Sequence, residues 1–247
     1  MKSSRSFYDN YAEEVTSLNS KNFGEELSLI IEWFKKRIAK YLPSDRTAKI
    51  LDLGSGYGRY LFALNQLGYK NIKGVELSES QIKLQDKIFK EKFDVETTDF
   101  ESFFKDSKHE SKFDCILAFD ILEHISYDEM HEFISSIYSL LKPGGILIAQ
   151  SPNAMSPLSP FLFADYTHRS FFTPSSMNQV LLSEGFTHVE LHSSLIHVHG
   201  IKSMFRRLLW KIFTLPMIKM FMLLVHGSFY EGIYTANFLA IAHKDQG

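Results

Sequence analysis

A single cysteine, Cys115, in 247 residues excludes an internal disulfide framework and any cysteine-built zinc module. It lies in the apolar run Cys115-Ile116-Leu117-Ala118-Phe119, where a thiol is expected to be buried and inert. Neither sign of charge is in excess. With 27 basic and 29 acidic side chains, net −2, the chain lacks the basic surplus that bulk nucleic-acid binding needs, so no nucleic-acid partner is expected. No apolar signal core follows Met1-Lys2-Ser3-Ser4-Arg5-Ser6, and a cytoplasmic protein is the simplest expectation. Repeats and low-complexity tracts are lacking too. Apolar residues at 45% and charged residues at 23% exclude disorder, and the length suits one large domain or one domain with a small insert.

What is present alternates. Leu27, Ile30, Ile31, Phe34 and Ile38 recur at three- and four-residue steps, predicting an amphipathic helix over 24–41 that ends at Pro43. Short apolar runs then read as strands at 49–53, 72–76, 94–98, 113–119 and 146–149, with helical patterns between them. Ser78 with Gln81, and Ser126 with Glu129, have capping-box spacing. Pro143-Gly144-Gly145 reads as a turn, and Asp114 as a structural carboxylate bonded to nearby backbone. Thr173-Pro174 opens a further helix that Gly185 closes, and residues 189–191 and 234–242 supply two last strands. Strand–helix alternation predicts an α/β, mostly parallel, doubly wound sheet with its ligand crevice at the carboxyl ends of the strands. Segments 54–58, 76–78, 99–100, 120–124 and 151–153 converge on that edge. Two segments break the alternation: a Pro- and aromatic-rich loop, 152–172, and a basic, apolar stretch, 196–232.

The strongest pattern is Leu51-Asp52-Leu53-Gly54-Ser55-Gly56-Tyr57-Gly58, a strand running through a glycine turn into a helix. The spacing G-x-G-x-G differs from the G-x-G-x-x-G of dinucleotide folds, and Asp52 entering the turn would repel a pyrophosphate but suits a cationic or zwitterionic ligand. An NAD-dependent oxidoreductase is therefore the weaker alternative.

Asp52-x-Gly54-x-Gly56-x-Gly58 resembles motif I of class I S-adenosylmethionine (SAM)-dependent methyltransferases, and the resemblance runs over about residues 45–151. It implies a Rossmann-like seven-stranded sheet, order 3-2-1-4-5-7-6 with the last strand antiparallel and a helical insert before it. It also implies SAM as cofactor, S-adenosylhomocysteine as product, and a domain spanning 45–247 behind an N-terminal lid and helix, 1–44. On this resemblance Asp52, Gly54, Ser55, Gly56 and Gly58 form the cofactor turn and Glu76, beside Leu77, receives the ribose hydroxyls. Asp99 receives the adenine amino group, Phe100 packs on the adenine face, Asp120 meets the methionine end, and Tyr8 or Tyr11 of the lid segment Phe7-Tyr8-Asp9-Asn10-Tyr11 covers the cofactor, with ordinary packing against the sheet as the alternative.

Phe113-Asp114-x-Ile116-x-x-x-Asp120-x-Leu122-Glu123-His124 resembles the family's fourth-strand motif, and its tail is similar to the signature of the ubiquinone-biosynthesis-like branch (methyltransferase domain 23/11 type). Asp165-Tyr166-Thr167-His168-Arg169 is similar to bacterial glycan and surface-polysaccharide methyltransferases. His124 and His168 are the candidate bases, each with the alternative of simply ordering its loop. Asp165 and Arg169 are candidates for holding a small-molecule or glycan acceptor. The expected reaction is O-methylation of a sugar, nucleotide-sugar or lipid-linked glycan precursor. Alternatives are a prenylated or aromatic acceptor, and a non-catalytic partner subunit. Asp120, Glu123 and His124 could instead gather a divalent ion, although no metal is expected. His188, His192, His197 and His199 are expected to face different ways.

In the 196–232 insert Lys202, Arg206, Arg207, Lys211 and Lys219 interleave with apolar residues. Two lysines and Pro216 interrupt the apolar run, which is therefore expected to be too broken to span a bilayer. The stretch reads as an acceptor lid or core packing, a dimer contact, or a basic amphipathic helix pair making peripheral membrane contact through 202–225 at the inner membrane surface.

Overall fold

The computed structural model describes residues 23–89, 92–106, 111–194, 200–227 and 232–247. Tyr11 with the rest of the expected lid, and His197 and His199, lie outside the described residues. Seven strands form one sheet: β1 Ile50–Leu53, β2 Ile72–Glu76, β3 Asp94–Thr97, β4 Phe113–Phe119, β5 Leu141–Pro152, β6 His188–Ser193 and β7 Asn237–His243. Their order is β3-β2-β1-β4-β5-β7-β6. Pairings from β3 to β5 are parallel, and β7 runs antiparallel to both β5 and β6.

Helices α1 (Phe23–Arg37) and α2 (Arg59–Gln66) cover one face, and α4 (Phe100–Lys105), α5 (Tyr127–Leu140) and α7 (Pro174–Ser183) the other, with the one-turn α6 (Pro160–Phe163) in the loop after β5. The continuous apolar run of β4 follows from this: Cys115, Leu117 and Phe119 point into the core under α1 and α2, while Ile116 and Ala118 point into the core under α5 and α7. Burial pushes the Cys115 thiol far up, away from its reactive thiolate form. Asp114 is structural: it accepts from the Lys49 amide at 2.8 Å and from Lys142 Nζ at 2.7 Å.

Several local expectations change. Pro143-Gly144-Gly145 is not a turn before β5 but a bulge inside it, where the pairing with β4 slips between Phe113 and Cys115. Ser78 caps α3 (Glu79–Ile88), accepting from the Gln81 amide, but the Gln81 side chain does not reach back to complete the box. Ser126 does stand at the N-cap of α5, but its hydroxyl donates to the Glu129 side chain and makes no cap bond to the backbone. The full capping box is at Thr173 and Ser176 of α7. His188 and His192 share one face of β6, since strand side chains alternate, and both pair with Glu190 between them.

The largest departure is the insert. Residues Ile201–Val225 form one continuous helix, not a pair: α8 (Ile201–Leu209), a π-helical turn (Trp210–Thr214) and α9 (Leu215–His226). Pro216 in the first turn of α9 supplies no N–H, and the wider π turn just before it carries the chain through without a break. The helix is long and apolar enough to cross a membrane, with mean hydropathy 1.8 over its most apolar 18 residues, and none of that window is buried.

Candidate active site

The glycine turn is fastened to β2 through the Val75 carbonyl, which accepts the Gly54 and Ser55 amides at 2.8 and 3.0 Å. Gly54 has φ +68°, and a Cβ there would stand 2.1 Å from Ile121 Cδ1 and 3.9 Å from Phe100 Cζ. No side chain fits, and the same contacts put Ile121 and Phe100 beside the turn as its apolar wall. Glu76 ends β2 with Oε2 accepting the Gly56 amide and Oε1 the Ser78 amide, both at 2.8 Å. Burial raises its pKa against those bonds. The Leu77 amide also bonds this carboxylate, and of its four lone pairs one is left for a ligand hydroxyl.

Asp52 is 1% exposed, and burial pushes its pKa up to about 8. Among the described residues Asp52 Oδ2, Ser55 Oγ, Gln81 Oε1, Gln85 Oε1 and Glu123 Oε1 are buried without a hydrogen-bond partner. Gln81 and Gln85 face the turn from α3: the closest neighbours of a Cβ built on Gly56 and Gly58 are their Oε1 atoms, at 3.9 and 2.3 Å. Buried acceptors without donors are costly, and a ligand carrying hydroxyl, amino and sulfonium groups supplies what they lack. The residues therefore fit SAM: acceptors and a carboxylate around the turn, and no phosphate-binding cradle. Asp99, expected to reach the adenine, caps α4, accepting from the Ser102 amide at 2.8 Å and the Ser102 hydroxyl at 3.1 Å.

Asp120 leaves β4 in the left-handed region, φ +56°. Gln150 Nε2 donates to its Oδ1 at 3.0 Å, and Arg59 lies 3.6 Å from its Oδ2. Arg59, Gln81 and Gln85 are site residues that the sequence reading missed. The available signals were a basic residue immediately after Gly58 and two glutamines four apart on one face of a helix.

On the acceptor side, the Thr167 amide and hydroxyl both donate to Asp165 Oδ1, at 2.8 and 2.7 Å. With its proton directed there, Thr167 Oγ1 accepts from His124 Nδ1 at 2.9 Å, which assigns the imidazole lone pair to Nε2. His168 Nδ1 donates to the Leu162 carbonyl at 2.8 Å, and its ring centroid is 4.8 Å from that of His124. Burial, reinforced by His168, lowers the pKa of His124. The two candidate bases and Asp165 are thus brought together. Arg169 is exposed, and its amide anchors the loop on the Glu123 carbonyl at 2.7 Å. Glu123 itself is 1% exposed, with burial and the charge of Asp120 raising its pKa. The donor atoms of Glu123, His124 and His168 lie within 4.8 Å of one another. Asp120, expected in such a set, is engaged with Arg59 and Gln150 instead.

A methyltransferase-domain family model matches residues 25–191. The chain belongs to the class I SAM-dependent methyltransferase family. Among curated proteins it is similar to human EEF1A lysine methyltransferase 2, 30% identical over 139 residues, 53% of this chain and 57% of the relative. It is also similar to phosphoethanolamine N-methyltransferase of Plasmodium falciparum, 26% identical over 159 residues, 60% of this chain and 56% of the relative. The chain spans little more than half the length of these relatives. A SAM-dependent methyltransferase from Archaeoglobus fulgidus shares the fold, with a TM-score of 0.65 at 20% identity over 88% of this chain and 94% of that one.

Proposed function

We propose that this methyltransferase domain transfers the methyl group of SAM to a hydroxyl, most simply one on a sugar, nucleotide-sugar or lipid-linked glycan precursor. The observation that carries this reading is the Asp165–Thr167–His124 chain at the edge of the crevice. A hydroxyl must lose its proton as it is methylated, and a neutral imidazole with one nitrogen pinned is suited to take it. SAM, when bound, supplies an electrophilic methyl on a positive sulfur. The chain's own residues do the rest. Asp52, the glycine turn and Glu76 bind and orient the cofactor, and Ile121 and Phe100 exclude water beside it. His124 Nε2 accepts the acceptor's proton, and Arg169 offers a cation to an anionic group on the acceptor.

The curated relatives carry names for amine methylation, of lysine and of phosphoethanolamine. Hydroxyl and amine acceptors are separated by incubating the protein and radiolabelled SAM with nucleotide sugars, lipid-linked sugars, quinols, phosphoethanolamine and lysine peptides. Label on a sugar hydroxyl, with His124→Gln lowering kcat by about 10²–10⁴-fold at unchanged SAM affinity, supports the proposal. Turnover of amines alone overturns it.

A further inference from the structure

The 201–226 helix leaves the sheet at the same edge as the crevice. It follows β6, whose last residue Ser193 pairs with Phe238 of β7, and the chain returns into β7 at Asn237, which pairs with Pro152 at the carboxyl end of β5. Residues 200–227 hold five cations, Lys202, Arg206, Arg207, Lys211 and Lys219, and neither Asp nor Glu, in a chain of net charge −2. In α8 the cations share one side, and Ile201, Met204, Phe205 and Leu208, each at least half exposed, occupy the other. α9 is apolar around most of its circumference and carries one charge, Lys219. A second apolar patch stands on the acceptor loop: Leu158 and Tyr166 are each 95% exposed, with Phe163 at 70% and Phe161 at 58%. Apolar surface of this extent, rimmed by cations and free of acids, is matched by an anionic lipid surface.

Topology decides how the helix meets the lipid. Its 25 residues are about 37 Å long, enough to cross a hydrocarbon core of about 30 Å. But both its ends are tied to one edge of one sheet. Were it to span, residues 227–236 would have to return through the bilayer as a near-extended chain, and lipid-exposed extended backbone is not viable there. We propose that the helix lies in the plane of an anionic bilayer surface, its apolar side in the acyl boundary and its cations at the headgroups. The carboxyl edge of the sheet, with the exposed tip of the acceptor loop, is thereby held against the membrane. An acceptor borne by the membrane then reaches the crevice without leaving the lipid phase. This last step rests on the methyl-transfer reading of the crevice, whereas the membrane contact does not.

The test is co-sedimentation of the full chain with vesicles of equal parts phosphatidylglycerol and phosphatidylcholine, against vesicles of phosphatidylcholine alone. Binding to the anionic vesicles that weakens with salt is expected. Arg206→Glu with Arg207→Glu should lower the partition coefficient more than about tenfold, and Phe213→Glu with Phe221→Glu should do the same. All four side chains are exposed, so thermal stability and SAM affinity should hold in both variants and report an intact fold. Single cysteines at Gly200 and Gly227, beside the buried Cys115, then read the topology. An impermeant maleimide outside the vesicles should label both. Labelling of one end only would show a spanning helix and overturn the proposal. Absence of vesicle binding, equal binding to neutral vesicles, or self-association through this helix would also overturn it. Failure of methyl transfer with vesicle binding intact would fault the acceptor reading alone.

Discussion

Glu76 does two things with one carboxylate. It holds the amides of Gly56 and Ser78, and in the proposed function it also receives the cofactor ribose. Glu76→Ala is expected to weaken SAM binding more than about tenfold, because a hydrogen bond to a charged acceptor is worth about 1.5–3 kcal/mol. Calorimetry checks it, and an unchanged Kd would contradict the assignment. His124 gives a second prediction. Its pKa is lowered by burial and by His168, so the neutral base persists to lower pH than for a free imidazole. In a pH profile, kcat/KM should rise with pH and level off below about 6.5, the ordinary histidine value, and His124→Gln should erase that limb. A limb at or above the ordinary value would remove His124 from the role of base. At this scale the cofactor turn was legible in sequence, because Asp52, Gly54, Gly56 and Gly58 fall at alternate positions of one short stretch and Glu76 follows at the next strand end. Arg59, Gln81 and Gln85 were not, because their roles depend on how α2 and α3 pack over the turn. Nor was the link through the Thr167 hydroxyl, which exists only once the loop has folded back onto His124.

Among the elements, the central strands were read closely: Phe113–Phe119 and Ile72–Glu76 have the expected bounds, and Cys115–Phe119 is buried throughout because helices cover both faces of the sheet there. The Pro143-Gly144-Gly145 bulge was hidden because turn residues and bulge residues are the same types. The continuity of α8 and α9 was hidden because a π turn absorbs a proline that, by local rules, reads as a break. The acceptor loop is better fastened than its composition implied. Asn153 Nδ2 donates to the carbonyls of Ile233 and Thr235, at 2.7 and 2.9 Å, and its Oδ1 accepts the Met155 amide at 3.0 Å. Asn153→Ala strands one buried and one half-buried carbonyl. It should cost about 2–4 kcal/mol by denaturant unfolding and raise the KM for the acceptor more than that for SAM. Equal effects on both KM values would show that Asn153 braces the whole crevice and not the loop.

For the molecule as a whole, the cofactor site is a source of instability. Asp52 is held protonated in the folded chain up to about pH 8, far above the ordinary carboxylate range. A raised folded-state pKa means that its contribution is fully present below about pH 4 and is lost as pH rises through about 8. Burial sets Glu123 in the same direction. The protein without SAM is therefore expected to lose thermal stability steadily from about pH 5 to about pH 8, and Asp52→Asn to flatten that slope. At about pH 8 the Asn variant should melt higher than the native chain, while SAM stabilises it less than it does the native chain. Scanning fluorimetry with and without SAM reads both, and a parallel slope in the variant would show that Asp52 titrates normally.

The amide of Ser194 donates to the carbonyl of Asn237 at 3.2 Å, so β6 and β7 already meet where the long excursion begins and ends. A tight hairpin turn could join them there without disturbing the register of any strand. On the proposed membrane contact, the catalytic body and its address are thus separable. A chain shortened to such a hairpin is expected to keep the seven-stranded sheet and lose the affinity for anionic vesicles.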